Sequence, residues 1–271
     1  MRGFARTVRQ CLWGLLLAAA AWPAHAAWTE PEGHGLVINT VTITFSRANF
    51  DANGELYVAP VKRRIEFSPY LQYGVFDGWT AIVQPTYAQA RTTQPEATSE
   101  QGFSKVFLGL RHRLFQDESD VLSVQPGITF SPGDRVRAQL LGGGDAIAEL
   151  RLLWGHNFTI PDPFSDDDEM PAFCVLELAP RLPEGSGPPV ELEIDATLGY
   201  SMREDTQLLL QSINKLPLDS ELGSYAKYQL QSSTVTELGW GTSLQVGGIY
   251  TFAGTNVDQE TAAFLALWVR F

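Results

Sequence analysis

The chain ends in Ala263-Phe264-Leu265-Ala266-Leu267-Trp268-Val269-Arg270-Phe271. Alternation sets Ala263, Leu265, Leu267, Val269 and Phe271 on one face and Phe264, Ala266, Trp268 and Arg270 on the other, the period of a β-strand and not of a helix. An apolar face opposite a mixed one suits a strand with lipid on one side, and it also suits the last strand of a soluble sandwich. The other end of the chain helps to separate the two.

Arg2, Arg6 and Arg9 precede an apolar run over residues 11–21, and Ala24-His25-Ala26 follows it. This is the n-region, h-region and A-x-A order of a secretory signal, so residues 1–26 are expected to be removed and the mature chain to start at Ala27. The run is shorter than the roughly 20 residues that a spanning helix needs, and no later stretch supplies them. A membrane location therefore requires a barrel, in which every backbone group can pair. Residues 27–271 are expected to form it, in the outer membrane of a Gram-negative bacterium.

Cys11 lacks a small-residue lipobox and belongs to the leader, which leaves Cys174 as the one mature cysteine, with no disulfide to form. The leader's three arginines come off a total of nineteen Lys and Arg against 31 Asp and Glu, so the mature formal charge is −15. That balance argues against nucleic acid as a partner.

Twelve alternating segments follow one another, approximately at 36–47, 62–74, 79–90, 103–115, 121–131, 145–156, 173–182, 190–200, 206–214, 226–236, 240–252 and 261–271. Most match the ~9–11 residues of a tilted membrane strand. The expected fold is thus all-β, an antiparallel transmembrane barrel of about twelve strands, with ten as the lower alternative. The faces repeat: Val106, Leu108, Leu110 and Leu114 oppose Lys105, Gly109, Arg111 and Arg113, and Leu150, Leu152 and Trp154 oppose Glu149 and Arg151. Leu192, Ile194 and Leu198 likewise oppose Glu193, Asp195 and Thr197.

The links favour the barrel. Those after even segments are tight, as at Phe76-Asp77-Gly78 and residues 116–120, 201–205 and 237–239, whereas 48–61, 91–102, 132–144, 183–189, 215–225 and 253–260 are longer. Short periplasmic turns and long outer loops are the pattern of outer-membrane barrels. Tyr73, Trp79, Phe115, Trp154, Tyr200, Trp240 and Phe271 gather near the turn-side ends, as an interfacial girdle would. One link breaks the rule: residues 157–172, with Pro161-Asp162-Pro163 and an acidic run over 165–169, read as a long turn-side loop. The run lacks calcium-loop spacing.

Ala27-Trp28-Thr29-Glu30-Pro31-Glu32-Gly33-His34-Gly35 resembles the opening of XagA-like outer-membrane proteins, which are associated with exopolysaccharide and biofilm gene clusters. Similarity continues in Tyr73-Gly74-Val75-Phe76-Asp77-Gly78-Trp79, in Leu192-Glu193-Ile194-Asp195-Ala196-Thr197-Leu198-Gly199 with Leu208-Leu209-Leu210-Gln211-Ser212, and in Leu267-Trp268-Val269-Arg270-Phe271. Residues 158–170 look like an insertion. The resemblance implies a barrel, its location and a link to surface polysaccharide, and it carries over no catalytic residue. The terminal Phe271 also resembles the signal read by the barrel-assembly machinery, an expected partner alongside outer-membrane lipid.

No chemistry-bearing string stands out. His34, His112 and His156 are mutually distant in sequence, with no metal-ligand spacing. Neither a G-x-S-x-G elbow nor the His-x-Ser-Asn-Gly string of outer-membrane phospholipases occurs, and Gly142-Gly143-Gly144 lacks the lysine of a phosphate loop. No cofactor is expected, and an outer-membrane lipid hydrolase is the weakest reading. The inward charges are the candidates for function: Arg64, Glu66, Lys105, Arg111, Glu149, Arg151, Glu193, Asp195, Lys227 and Arg270, joined by the amides Gln72, Gln211, Gln229, Gln231 and Gln245. Either they line a conduit or saccharide site for transport or export, or they form a salt-bridged filling, since twelve strands lie between filled and open barrels. The alternative function is surface adhesion through loops 48–61, 91–102 and 132–144.

Overall fold

Leu36 pairs with Arg270 and with Gln72, so the first strand meets both the last and the second and the sheet closes on itself. The computed structural model describes residues 27–93, 97–132, 146–161, 169–184, 190–218 and 225–271. The expected leader at 1–26 and the glycine run at 142–144 lie outside these residues. Twelve antiparallel strands form one barrel: β1 (Gly35–Phe50), β2 (Leu56–Phe76), β3 (Trp79–Thr92), β4 (Thr98–Gln116), β5 (Asp120–Phe130), β6 (Ile147–Pro161), β7 (Glu169–Pro183), β8 (Glu191–Arg203), β9 (Thr206–Pro217), β10 (Ala226–Gly239), β11 (Thr242–Thr255) and β12 (Val257–Arg270). Ten strands are excluded. Each of the twelve segments expected from the sequence is a strand of this wall.

The outer face is an apolar belt. Register sets Val41 between Phe67 and Leu265, and Leu265 against Val246, and all four side chains are exposed. Leu150 and Leu152 on β6 and Leu176 and Leu178 on β7 continue it, each more than two-fifths exposed. A contiguous apolar surface this wide has no place in water and matches the lipid-facing band of a membrane barrel. The turn-side ends carry the aromatics: Tyr73 stacks on Phe271 at 6.5 Å, Trp79 on His112 at 3.9 Å, and Trp154 Nε1 donates to Asp120 Oδ1 at 3.0 Å. Phe271 also exchanges backbone hydrogen bonds with Gly35 at 2.8 and 3.0 Å, which fastens the seam.

The connections depart from expectation at both ends of the barrel. The outer link 48–61 is mostly strand, narrowed to a turn over 51–55 in which Asp51 Oδ1 accepts the backbone N–H groups of Asn53 and Glu55, both at 2.8 Å. Link 253–260 narrows to Asn256, whose φ of 53° is one that asparagine tolerates. Most of 91–102 is also strand, while 94–96 and 133–145 lie outside the described residues. Residues 157–172 are likewise no single loop: Asn157 pairs with Phe173 and Pro161 with Glu169, so the hairpin simply runs on past the belt. Beyond the lipid both faces of a strand meet water, so the apolar alternation fades while the backbone pairing continues.

Candidate functional site

Residues 27–31 do not join the wall, and 32–34 are bridged to it at Gly74 on β2, whose carbonyl accepts from the Gly33 N–H at 2.9 Å and whose N–H donates to the His34 carbonyl at 2.9 Å. They turn back into the lumen at the end that carries the short turns. Trp28 packs among Val121, Leu153, Phe173, Val175 and Leu209, edge-on to the Phe173 ring at 6.5 Å, and Ala27 is fully buried. Ser123 Oγ donates to the Ala27 carbonyl at 2.7 Å, Arg111 Nη1 to the Trp28 carbonyl at 2.8 Å, and the Glu30 N–H to Thr80 Oγ1 at 2.8 Å. Two glycines make room: a Cβ on Gly155 would lie 2.6 Å from the Trp28 ring, and one on Gly74 would overlap the Pro31 carbonyl oxygen. The segment is therefore built into the barrel as a plug. Burial raises the Glu30 carboxyl above the ordinary range, against the opposing pull of Arg270, Arg111 and His34.

Above the plug, a central cavity of about 630 Å³ is bounded by Tyr70, Phe107 and Trp268 and by the amides Gln72, Gln84, Gln125, Gln211, Gln229, Gln231 and Gln245. A second cavity of about 440 Å³ opens at the turn-side mouth beside Glu30, His34 and Arg270. Trp268 lines both. Its Nε1 donates to Gln245 Oε1 at 3.0 Å, and its ring packs with Leu36, Ala266, Ile38 and Val235, an apolar collar between the two cavities.

The wall's charges fall into two networks. In the middle, Arg151 reaches Glu177 at 2.8 Å, Glu193 at 2.5 Å, Asp195 at 3.2 Å and Glu149 at 3.3 Å. Arg181 pairs with Glu191, Glu149 and Glu193, Lys215 lies 3.4 Å from Glu193, and the Tyr225 hydroxyl donates to Glu191. Toward the outer end, Arg64 bridges Glu66 and Glu260 at 3.1 and 3.3 Å, Lys227 holds Glu260 at 2.5 Å, and Lys62 holds Asp258 at 2.8 Å. Charges taken from water are tolerable when paired this fully.

Every expected lumen residue faces inward, but their roles differ. Lys105, Arg111, Glu149, Arg151, Glu193, Gln211 and Gln229 line the central cavity, Arg64, Glu66 and Lys227 belong to the outer network, Asp195 is an ion-pair partner of Arg151, and Arg270 lines the mouth. Arg111 is largely spent on the plug and on Gln125, at 3.0 Å. Lys105 is exposed to the cavity and makes no ion pair among the described residues. The sequence reading missed the plug and also Glu177, Arg181, Glu191, Lys215 and Glu260. The three histidines are dispersed: His112 sits on Trp79, His156 Nδ1 lies 3.0 Å from Asp120 Oδ1, and His34 is at the mouth.

No protein-family model matches the chain, and no curated protein matches it in sequence. Solved structures do. The chain is 12% identical to an outer membrane channel from Pseudomonas putida F1, covering 93% of this chain and all of that one, with a TM-score of 0.69. It is 11% identical to the translocator domain of the autotransporter NalP from Neisseria meningitidis, over 98% of each chain at a TM-score of 0.53. The transport unit of AIDA-I from Escherichia coli is 8% identical, over 94% and 96%, at 0.51. What these likenesses share with the chain is the fold, a closed antiparallel barrel of the kind found in Gram-negative outer membranes.

Proposed function

We propose that the protein is an outer-membrane channel that passes or holds small polar solutes of saccharide type. The observation that carries this is the central cavity, whose wall alternates neutral amides with the aromatic faces of Tyr70, Phe107 and Trp268 while its charges are nearly all paired. Amides exchange hydrogen bonds with hydroxyls, aromatic faces cover the apolar side of a sugar ring, and paired charges leave little field to exclude a neutral solute. Lys105 adds a cation without a carboxylate, so a sugar acid has a partner there. The fold shared with a solved channel and the sequence resemblance to XagA-like proteins support the same reading, with export or uptake of surface polysaccharide pieces as its setting. Proteoliposomes in graded sugars test it: swelling is expected to be faster in mono- and disaccharides than in larger oligosaccharides, and faster for a uronate in wild type than in Lys105→Gln. Liposomes that do not swell in any sugar would defeat the proposal.

A second reading, adhesion by the outer surface, is favoured by Leu56, Tyr57 and Val58, which are 52%, 52% and 91% exposed on the hairpin that rises above the belt. Replacing all three by serine would then abolish cell attachment and leave solute flux unchanged.

A further inference from the structure

Inside the barrel each buried guanidinium has its partners, as with Arg64, Arg151 and Arg181. Outside, among the described residues, Arg63 and Arg91 do not. Arg63 on β2 and Arg91 on β3 stand directly opposite each other across the strand pair. Both are exposed. Directly opposed side chains hold their Cβ atoms about 4.5–5.5 Å apart, and like charges so placed repel. The Arg63 guanidinium lies 5.7 Å from the Phe45 ring centroid, yet among the described residues no carboxylate pairs with either arginine. Gln89 on β3 and Gln101 on β4, the outward neighbours below them, are neutral.

Their height tells what is nearby. Ten residues of β2 separate Arg63 from Tyr73, which stacks on Phe271 at the turn-side interface. At about 3.3 Å per residue and a tilt near 40°, that is roughly 25 Å across the membrane, the thickness of the apolar band. The arginines therefore sit at its outer edge. Below them Phe67 is exposed, and the Tyr87 and Phe103 rings meet edge to face at 5.6 Å, a surface for acyl chains.

From this juxtaposition we infer that Arg63 and Arg91 form a binding site for the phosphate of a phosphorylated glycolipid in the outer leaflet. The phosphate bridges Arg63 and Arg91, turning a repulsive cross-strand pair into two charge-assisted contacts, and the chains lie along the aromatics beneath. A free phosphate offers the same charge but has no use for the apolar surface.

The refolded protein in neutral detergent, titrated with bis-phosphorylated lipid A, with its dephosphorylated form and with inorganic phosphate, tests this. Wild type is expected to bind the phosphorylated lipid at least tenfold more tightly than the dephosphorylated one. The double variant Arg63→Gln/Arg91→Gln is expected to lose that preference, while Arg113→Gln, which changes an arginine paired with Asp77 on a turn at the opposite end, keeps it. Equal binding of the two lipids by wild type would overturn the inference and needs no variant to fold. Unchanged preference in the double variant would overturn it too, and displacement of the lipid by millimolar phosphate would show a free-anion site in its place.

Discussion

Arg111, on the wall, donates from Nη1 to the backbone carbonyl of Trp28, a residue 83 positions earlier in the chain, at 2.8 Å. The same side chain holds Gln125 Oε1 at 3.0 Å, so one buried cation ties the plug to β5. Hydrogen bonds to charged groups are worth about 1.5–3 kcal/mol. Arg111→Met should therefore release residues 27–33: their amides should exchange faster with deuterium, while the β-strand amides of the wall keep their protection.

Gly74 tests the plug sterically. Its backbone is not strained toward positive φ, so alanine is conformationally acceptable there, but a Cβ would meet the carbonyls of Pro31 and Glu30. Gly74→Ala is expected to fold as a barrel with heat-modifiable mobility on gels and to expose its amino terminus to protease. Gly248→Ala, where the nearest atom is 3.4 Å away, should leave the amino terminus protected.

The plug should also respond to pH. Burial raises the Glu30 carboxyl in the docked state, with Arg270, Arg111 and His34 opposing. A carboxyl raised by docking binds its proton more tightly in that state, so docking is firmest below the free value of about 4.3 and weakens as pH rises through the docked value. Protease susceptibility of the amino terminus should accordingly rise with pH from about 4.3 upward. Glu30→Gln should flatten that dependence.

The central ion network makes a further contrast. Arg151 holds four carboxylates, and removing one partner of a buried cluster costs about 3–5 kcal/mol. Arg151→Met should lower the urea midpoint of folding into vesicles markedly. Glu149→Gln should be mild, because its amide oxygen can still accept from Arg151 and the acidic residues outnumber the bases. Leu150→Arg, one residue on and 53% exposed to lipid, should cost about 2–4 kcal/mol if it sits near the midplane.

How much of this is legible in the sequence depends on the phase of each strand. β6 reads cleanly, because Leu150 and Leu152 alternate with Glu149 and Arg151. β7 does not: Cys174, Leu176 and Leu178 face out, but Phe173 and Val175 on the inward face are equally apolar, so Glu177 and Arg181 go unassigned. Those inward apolar residues, with Leu153 and Leu209, are the trace that the plug leaves in the sequence, since a lumen meeting only water would not need them. Trp28 itself follows the expected cleavage site and carries no periodicity. The outer hairpins are illegible for the complementary reason, that strands beyond the lipid lose their apolar face.

Single-channel recording in planar bilayers tests most directly whether the barrel is a conduit narrowed by residues 27–32 and the Trp268 collar. The chain from Ala27 onward is expected to give small discrete steps. A chain refolded from Gly33 onward should give steps severalfold larger, and Trp268→Ala should enlarge them further. Silent bilayers from all three correctly folded proteins, or identical steps with and without the plug, would contradict the account.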